Sequence, residues 1–140
     1  FYRDTQKSLK EILKEENHKE ESLLLNISSV LQYIHPYKDF LKDILADKVP
    51  KLVCITRFNR CEDAFKDAFT IQDVVTEFGK CGSAKVNLFA KFSLEEVMRD
   101  LGYELLKEEF ISLGSKRRFS ECEDETYRRF TTMACIFVRK

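Results

Sequence analysis

The chain has 140 residues, of which 44% are hydrophobic and 34% charged. That suits one ordinary domain with enough apolar surface to bury a core, and it excludes both disorder throughout and two full catalytic domains. The 24 basic and 24 acidic side chains cancel to a formal net charge of +0, so no global charge draws the chain to nucleic acid or to a membrane surface; only a local patch can.

No stretch approaches the roughly 18 apolar residues of a transmembrane helix; the longest dense run, Met133 to Val138, is far shorter. No membrane partner is expected. The chain opens at Phe1 with no apolar signal core behind it, which reads as a piece of a longer protein. The five cysteines, Cys54, Cys61, Cys81, Cys122 and Cys135, are odd in number and scattered among apolar neighbours. That usage predicts reduced thiols and an intracellular setting, nuclear or cytoplasmic. Asn26-Ile27-Ser28 matches the glycosylation acceptor pattern but falls inside a helical stripe, where it reads as coincidence.

Residues 2–34 contain no Gly or Pro. Steps of four and three connect Tyr2, Gln6, Leu9, Leu13, Glu16, Glu20, Leu23, Ile27, Val30 and Ile34, apolar except at Gln6, Glu16 and Glu20. This heptad spacing predicts a helical arm over 1–34, compatible with a coiled coil, with Leu9, Leu13, Leu23, Ile27, Val30 and Ile34 as the self-association or partner seam. The polar middle, Glu15 to Ser22, leaves a second expectation open: that only 23–34 docks, as a helix on its own core.

The body, 35–140, starts where His35-Pro36 stops the arm. Tyr37, Phe40, Leu41, Ile44 and Leu45 predict a short helix to about Ala46. Leu52 to Phe58 is β-branched and apolar on both faces, as in a strand covered above and below. Asn59 and Glu62 suggest the start of a further helix carrying Ala64, Phe65, Ala68, Phe69, Val75 and Phe78 to Gly79. Val86, Leu88, Ala90 and Phe92 alternate with Lys85, Asn87, Phe89 and Lys91 as in a second strand. Ser93 and Glu96 form a capping box, with Phe92 and Val97 as its staple, and the apolar pattern from Leu94 runs on past Gly102 to Gly114. Strands are expected near Arg117 to Glu121 and Tyr127 to Val138, joined by the acidic turn Cys122-Glu123-Asp124-Glu125. The fold class is therefore read as α+β: a helical arm, then a small α/β body of approximate order βαβαββ.

A catalytic reading needs an activated nucleophile, an acid–base pair or a metal. None is legible. There is no glycine-rich phosphate loop, no GxSxG, no HExxH and no CxxC, and His18 and His35 lie apart from the cysteines in sequence. Glu62 beside Cys61, and Glu121 and Glu123 around Cys122, disfavour a thiolate. The acidic cluster from Glu121 to Glu125 lacks the glycine and alternating ligands of a calcium loop. No cofactor and no metal is expected, and no catalytic residue.

Two non-enzymatic classes remain. The first is a protein-interaction, oligomerisation or adaptor module of an intracellular assembly, whose partner is another protein or a second copy met through the arm. The second, less favoured, is nucleic-acid binding by the C-terminal hairpin, where Arg117, Arg118, Phe119, Tyr127, Arg128 and Arg129 combine cations with rings. A loose likeness of Ser93 to Phe110 to a helix-turn-helix is weakened by Glu104, Glu108 and Glu109, which would repel phosphate from a recognition helix.

Overall fold

The computed structural model describes residues 23–47, 50–111, 117–118 and 124–140. Most of them build a mixed sheet. Its strands are β1 (Leu24–Ser28), β2 (Leu52–Cys61), β3 (Ala68–Thr76), β4 (Gly79–Ala90), β5 (Tyr103–Phe110), the two-residue β6 (Arg117–Arg118) and β7 (Arg129–Arg139). The helices are short: α1 (Tyr37–Leu45), α2 (Ser93–Asp100) and the single turn α3 (Glu125–Arg128), with a 3-10 turn at Leu31–Tyr33.

The strands are ordered β3-β4-β2-β7-β5. β2 is the hub. β7 runs antiparallel to it over most of its length, while β1 pairs in parallel with Leu52 to Thr56 and β4 in parallel at Arg60 and Cys61. β5 pairs antiparallel with β7, and β6 meets β7 at Phe130 and Arg129. In β2, Val53 and Ile55 point to one face, and strict alternation would next bring Arg57 there. Instead the register with β7 shifts between Thr56 and Phe58, with Arg57 in a left-handed conformation at φ 59. This bulge returns Phe58 to the face of Val53 and Ile55.

That face carries the main core. Tyr37, Leu41 and Leu45 from α1 and Leu94, Val97 and Met98 from α2 pack on Val53, Ile55, Phe58, Phe89, Met133, Cys135 and Phe137. Tyr37, Phe89 and Phe58 meet edge to face, with ring centroids 4.7 and 5.4 Å apart, a geometry favoured by the ring quadrupoles. On the opposite face a smaller cluster of Cys61, Ala64, Leu88, Ala90 and Phe130 forms under Tyr127. Elsewhere on that face Leu52, Cys54, Thr56, Ala134, Ile136 and Val138 stay half-buried, and neither α1 nor α2 packs there.

The helical-arm expectation is overturned. Leu9 and Leu13 lie outside the described residues, and the segment expected to dock as a helix contains β1. Leu25 and Ile27 face the core while Leu24 is 54% exposed, a period of two. A five-residue apolar-rich stretch fits either period, and pairing with β2 decides it. Leu23 precedes the strand, its carbonyl accepting from the Lys51 and Leu52 N–H groups; Val30 and Ile34 flank the 3-10 turn. The coiled-coil seam is thus not a helix face at Leu23, Ile27, Val30 and Ile34.

The body departs from βαβαββ as well. Where a helix was expected from Asn59, β2 runs on to Cys61 and a loop leads to β3, because Thr70, Ile71, Val74, Val75 and Thr76 concentrate β-branched residues that crowd a helix and suit a strand. Its supposed inward residues Phe65 and Phe78 are each 93% exposed. After α2, Gly102 adopts φ 85 and ends the helix, so Tyr103 onward is β5 and no second helix follows. α2 begins at Ser93 as expected, but without a side-chain cap. The Ser93 hydroxyl donates instead to Asp67. At the C-terminal end, α3 stands where a plain hairpin turn was expected.

Candidate interaction surface

β3 lies at one end of the sheet and β5 at the other. Each exposes a row of backbone N–H and C=O groups, which soluble proteins normally guard with charge, proline or a covering segment. β5, Tyr-Glu-Leu-Leu-Lys-Glu-Glu-Phe, carries Glu104, Lys107, Glu108 and Glu109. β3, Ala-Phe-Thr-Ile-Gln-Asp-Val-Val-Thr, carries Asp73 alone. Moreover Phe69 and Ile71, two residues apart and so on one face, are 58% and 60% exposed. Among the described residues this edge has neither a row of charges nor a proline to guard it.

The ribbon that carries this edge is well built. β3 pairs with β4 from Ala68 opposite Leu88 to Thr76 opposite Gly79. Gly79 takes φ 106 at the turn, a conformation glycine adopts without a Cβ penalty. Across the ribbon, Asp73 accepts from the Ser83 hydroxyl at 2.9 Å and pairs with Lys80 at 2.8 Å.

Next to the ribbon lies an open groove of about 560 Å³ bounded by His35, Lys38, Asp39, Lys42, Lys85 and Asn87. Asn87 fixes its floor: its Nδ2 donates to the carbonyls of Leu31 at 3.3 Å and Ile34 at 2.8 Å. His35 Nε2 meets the Lys85 carbonyl at 3.0 Å, as the donor. In the β3–β4 register Phe69 stands opposite Asn87 and Ile71 opposite Lys85, so these four side chains share the groove's face. The Lys85 ammonium sits 4.1 Å from the Phe69 ring centroid, a cation–π contact.

Two polar networks lie between the sheet and the helices and loops that cover it. In the first, Asp67 accepts from the Ala90 N–H at 2.9 Å, the Ser93 hydroxyl at 2.7 Å and the Tyr37 hydroxyl at 2.8 Å, and Lys38 lies 3.2 Å away. Tyr37 and Ser93 are 2.6 Å apart. Burial opposes the Asp67 charge, yet the donors from Ala90, Ser93 and Tyr37 and the Lys38 ammonium together hold its pKa below the ordinary value. Burial, with the Asp67 charge adding to it, pushes the Tyr37 hydroxyl far above the usual phenol range. A carboxylate so stabilised is a poor base and a phenol so shifted a poor acid. An adjoining cavity of about 340 Å³ is also lined by Phe65, Lys66 and Glu96.

In the second network buried Arg60 makes a two-pronged pair with Glu108 across β7, its Nη2 donating to Oε1 at 3.0 Å, and donates through Nε to Glu62 at 2.8 Å. Burial disfavours the guanidinium charge, but the two carboxylates more than offset this and its pKa rises. Burial, then the Glu108 charge, pushes the Cys135 thiol up to about 12, which keeps it protonated and unreactive. No disulfide joins the described cysteines Cys54, Cys61, Cys81 and Cys135. Among the described residues no three His, Cys, Asp or Glu side chains gather where they would hold a metal ion, and no helix is long and apolar enough to cross a membrane.

The C-terminal candidates are partly assembled. The register sets Arg117 opposite Phe130 and Arg118 opposite Arg129, with Arg128 closing α3. Phe119 lies outside the described residues. Phe130, however, is 6% exposed, and the Tyr127 hydroxyl donates to the Lys66 carbonyl at 2.8 Å while its ring packs on the second cluster. These rings serve the core. Phe69, Ile71 and Lys85, the residues of the exposed ribbon, were not singled out from sequence as a site; the one available signal was the near absence of charge in 68–76 between two turn-forming stretches.

No protein-family model matches the chain, and no curated protein matches it significantly.

Proposed function

We propose that the protein is a non-enzymatic protein-interaction domain that receives its partner at the β3 edge. The observation that carries this reading is the difference in charge between the two end strands: both expose apolar side chains, Leu106 and Phe110 on β5 and Phe69 and Ile71 on β3, but β5 interleaves them with four charged residues and β3 with a single carboxylate. A sheet edge with few charges and apolar side chains beside it is the surface used by strand addition, in which main-chain hydrogen bonds give affinity and alternate side chains give specificity. The nucleic-acid reading has less support, because Phe130 and Tyr127 are engaged in packing and a helix does not follow Gly102.

Affinity capture from nuclease-treated extract, followed by reconstitution with the purified captured protein, tests the proposal. Phe69→Lys combined with Ile71→Lys is expected to abolish the reconstituted complex, while Leu106→Lys on β5 leaves it intact. A complex that survives the double substitution, or that nuclease dissolves, overturns the reading.

A further inference from the structure

We infer that the β3 edge takes an extended segment whose carboxylates alternate with apolar residues along one face. This inference names the partner chemistry of the site proposed above and rests on that proposal. Charge complementarity carries it. The groove on the Phe69 face is bounded by three lysines, Lys38, Lys42 and Lys85, against one carboxylate, Asp39. Lys38 is occupied by Asp67; among the described residues Lys42 and Lys85 have no carboxylate partner within ion-pair distance.

Lys85 is decisive because of where its ammonium stands. Its backbone is on β4, but the cation–π contact holds the ammonium over the Phe69 ring on β3. A strand added to β3 would run about 4.8 Å outside it, within reach of a Glu side chain pointing to that face. Residues two apart on the added strand share this face, so apolar side chains would lie on Phe69 and Ile71 while an acidic one between or beside them meets Lys85. Lys42, farther along the groove on α1, extends the positive field toward a second carboxylate. A polyanion such as single-stranded nucleic acid fits less well: the surface contributes exposed apolar side chains and Asp39 as well as lysines, and the whole chain has no net charge to hold a phosphate backbone.

The test is fluorescence anisotropy of the full chain with three labelled probes: the peptide Thr-Val-Thr-Glu-Thr-Val-Thr-Glu, the same peptide with Lys in place of Glu, and a single-stranded oligonucleotide. The acidic peptide is expected to bind at least about tenfold more tightly than the basic one, the scale of one charge-assisted hydrogen bond. Lys85→Glu should reverse that preference, and Lys42→Glu should weaken the acidic peptide without reversing it. Thermal melts establish that each variant is folded, with Lys85→Gln, expected to erase the preference, replacing Lys85→Glu if needed. Absence of binding by the acidic peptide, an unchanged preference in the Lys85 variants, or tighter Lys85-dependent binding of the oligonucleotide overturns the inference. If both peptides bind equally and both are lost in the Phe69→Lys, Ile71→Lys variant, the edge-docking proposal stands and only the acidic partner falls.

Discussion

Asp67 shows how one side chain can tie together distant parts of the chain. Its oxygens accept from Ala90, Ser93 and Tyr37, at sequence separations of 23, 26 and 30 residues, so a single carboxylate joins the loop before β3 to β4, α2 and α1. Two hydroxyl protons serve the three close approaches among Tyr37, Ser93 and Asp67, so the ionised carboxylate is the acceptor that satisfies the set. Because the folded-state pKa of Asp67 lies below its ordinary value of 3.8, its contribution is fully present above about pH 4 and is lost as pH falls through the folded-state value. Asp67→Asn removes that dependence and leaves one acceptor oxygen where two are used. The variant should be less stable at pH 7 by about 1–3 kcal/mol, with a difference from the parent that shrinks as the pH is lowered from about 4. Urea denaturation across that range measures it; a constant difference would show that the charge of Asp67 is not what matters. None of this was legible in sequence, where Ser93 reads as a helix cap because its local spacing to Glu96 satisfies that pattern, while a competing acceptor 26 residues away leaves no local trace.

At the scale of elements, the helices bounded by strong punctuation were readable and the strands were not always so. Pro36 before α1 and the Ser93 start of α2 appear in sequence as they do in the fold. Leu24–Ser28 and Ala68–Thr76 were misread because residues four apart share a face in a strand as they do in a helix, so a short apolar run fits both periods. The bulge in β2 was likewise hidden, since Leu52 to Phe58 is apolar on both faces and a shift of one residue changes nothing in that pattern. Its consequence is testable. Arg57 sits at φ 59, a left-handed conformation that costs a residue with a Cβ about 1–2 kcal/mol. Glycine has no such cost but loses more chain entropy on folding, so Arg57→Gly should leave the thermal midpoint equal or higher. Arg57→Val, whose branched Cβ fits that region worst, should lower it by several degrees. Equal midpoints for the two variants would mean that the bulge relocates and the face of Phe58 is not fixed by Arg57.

For the molecule as a whole, the decisive feature among the described residues is a sheet covered by α1 and α2 on one side, with only the single turn α3 over part of the other. The sequence of β2 suggested cover on both sides because Leu52, Cys54 and Thr56 are no more polar than Val53 and Ile55; hydropathy alone does not separate a half-exposed face from a buried one when both are apolar. β7 makes the distinction sharply. Met133, Cys135 and Phe137 are 0%, 3% and 1% exposed, while Ala134, Ile136 and Val138 between them are half-buried. Truncating Phe137 opens a cavity beneath α1 and α2 and should cost about 3–5 kcal/mol as Phe137→Ala. Ile136→Thr, one position away on the other face, exchanges apolar for polar contact at a half-solvated surface and should cost about 1 kcal/mol or less. Chemical denaturation of both variants measures the contrast, with the dependence on denaturant concentration showing whether the exposed area on unfolding stays the same. A loss at Ile136 as large as at Phe137 would mean that the second face is also covered in solution, and dilution of the sample then separates the two sources of cover: a second copy is lost on dilution, whereas a segment of the same chain is not.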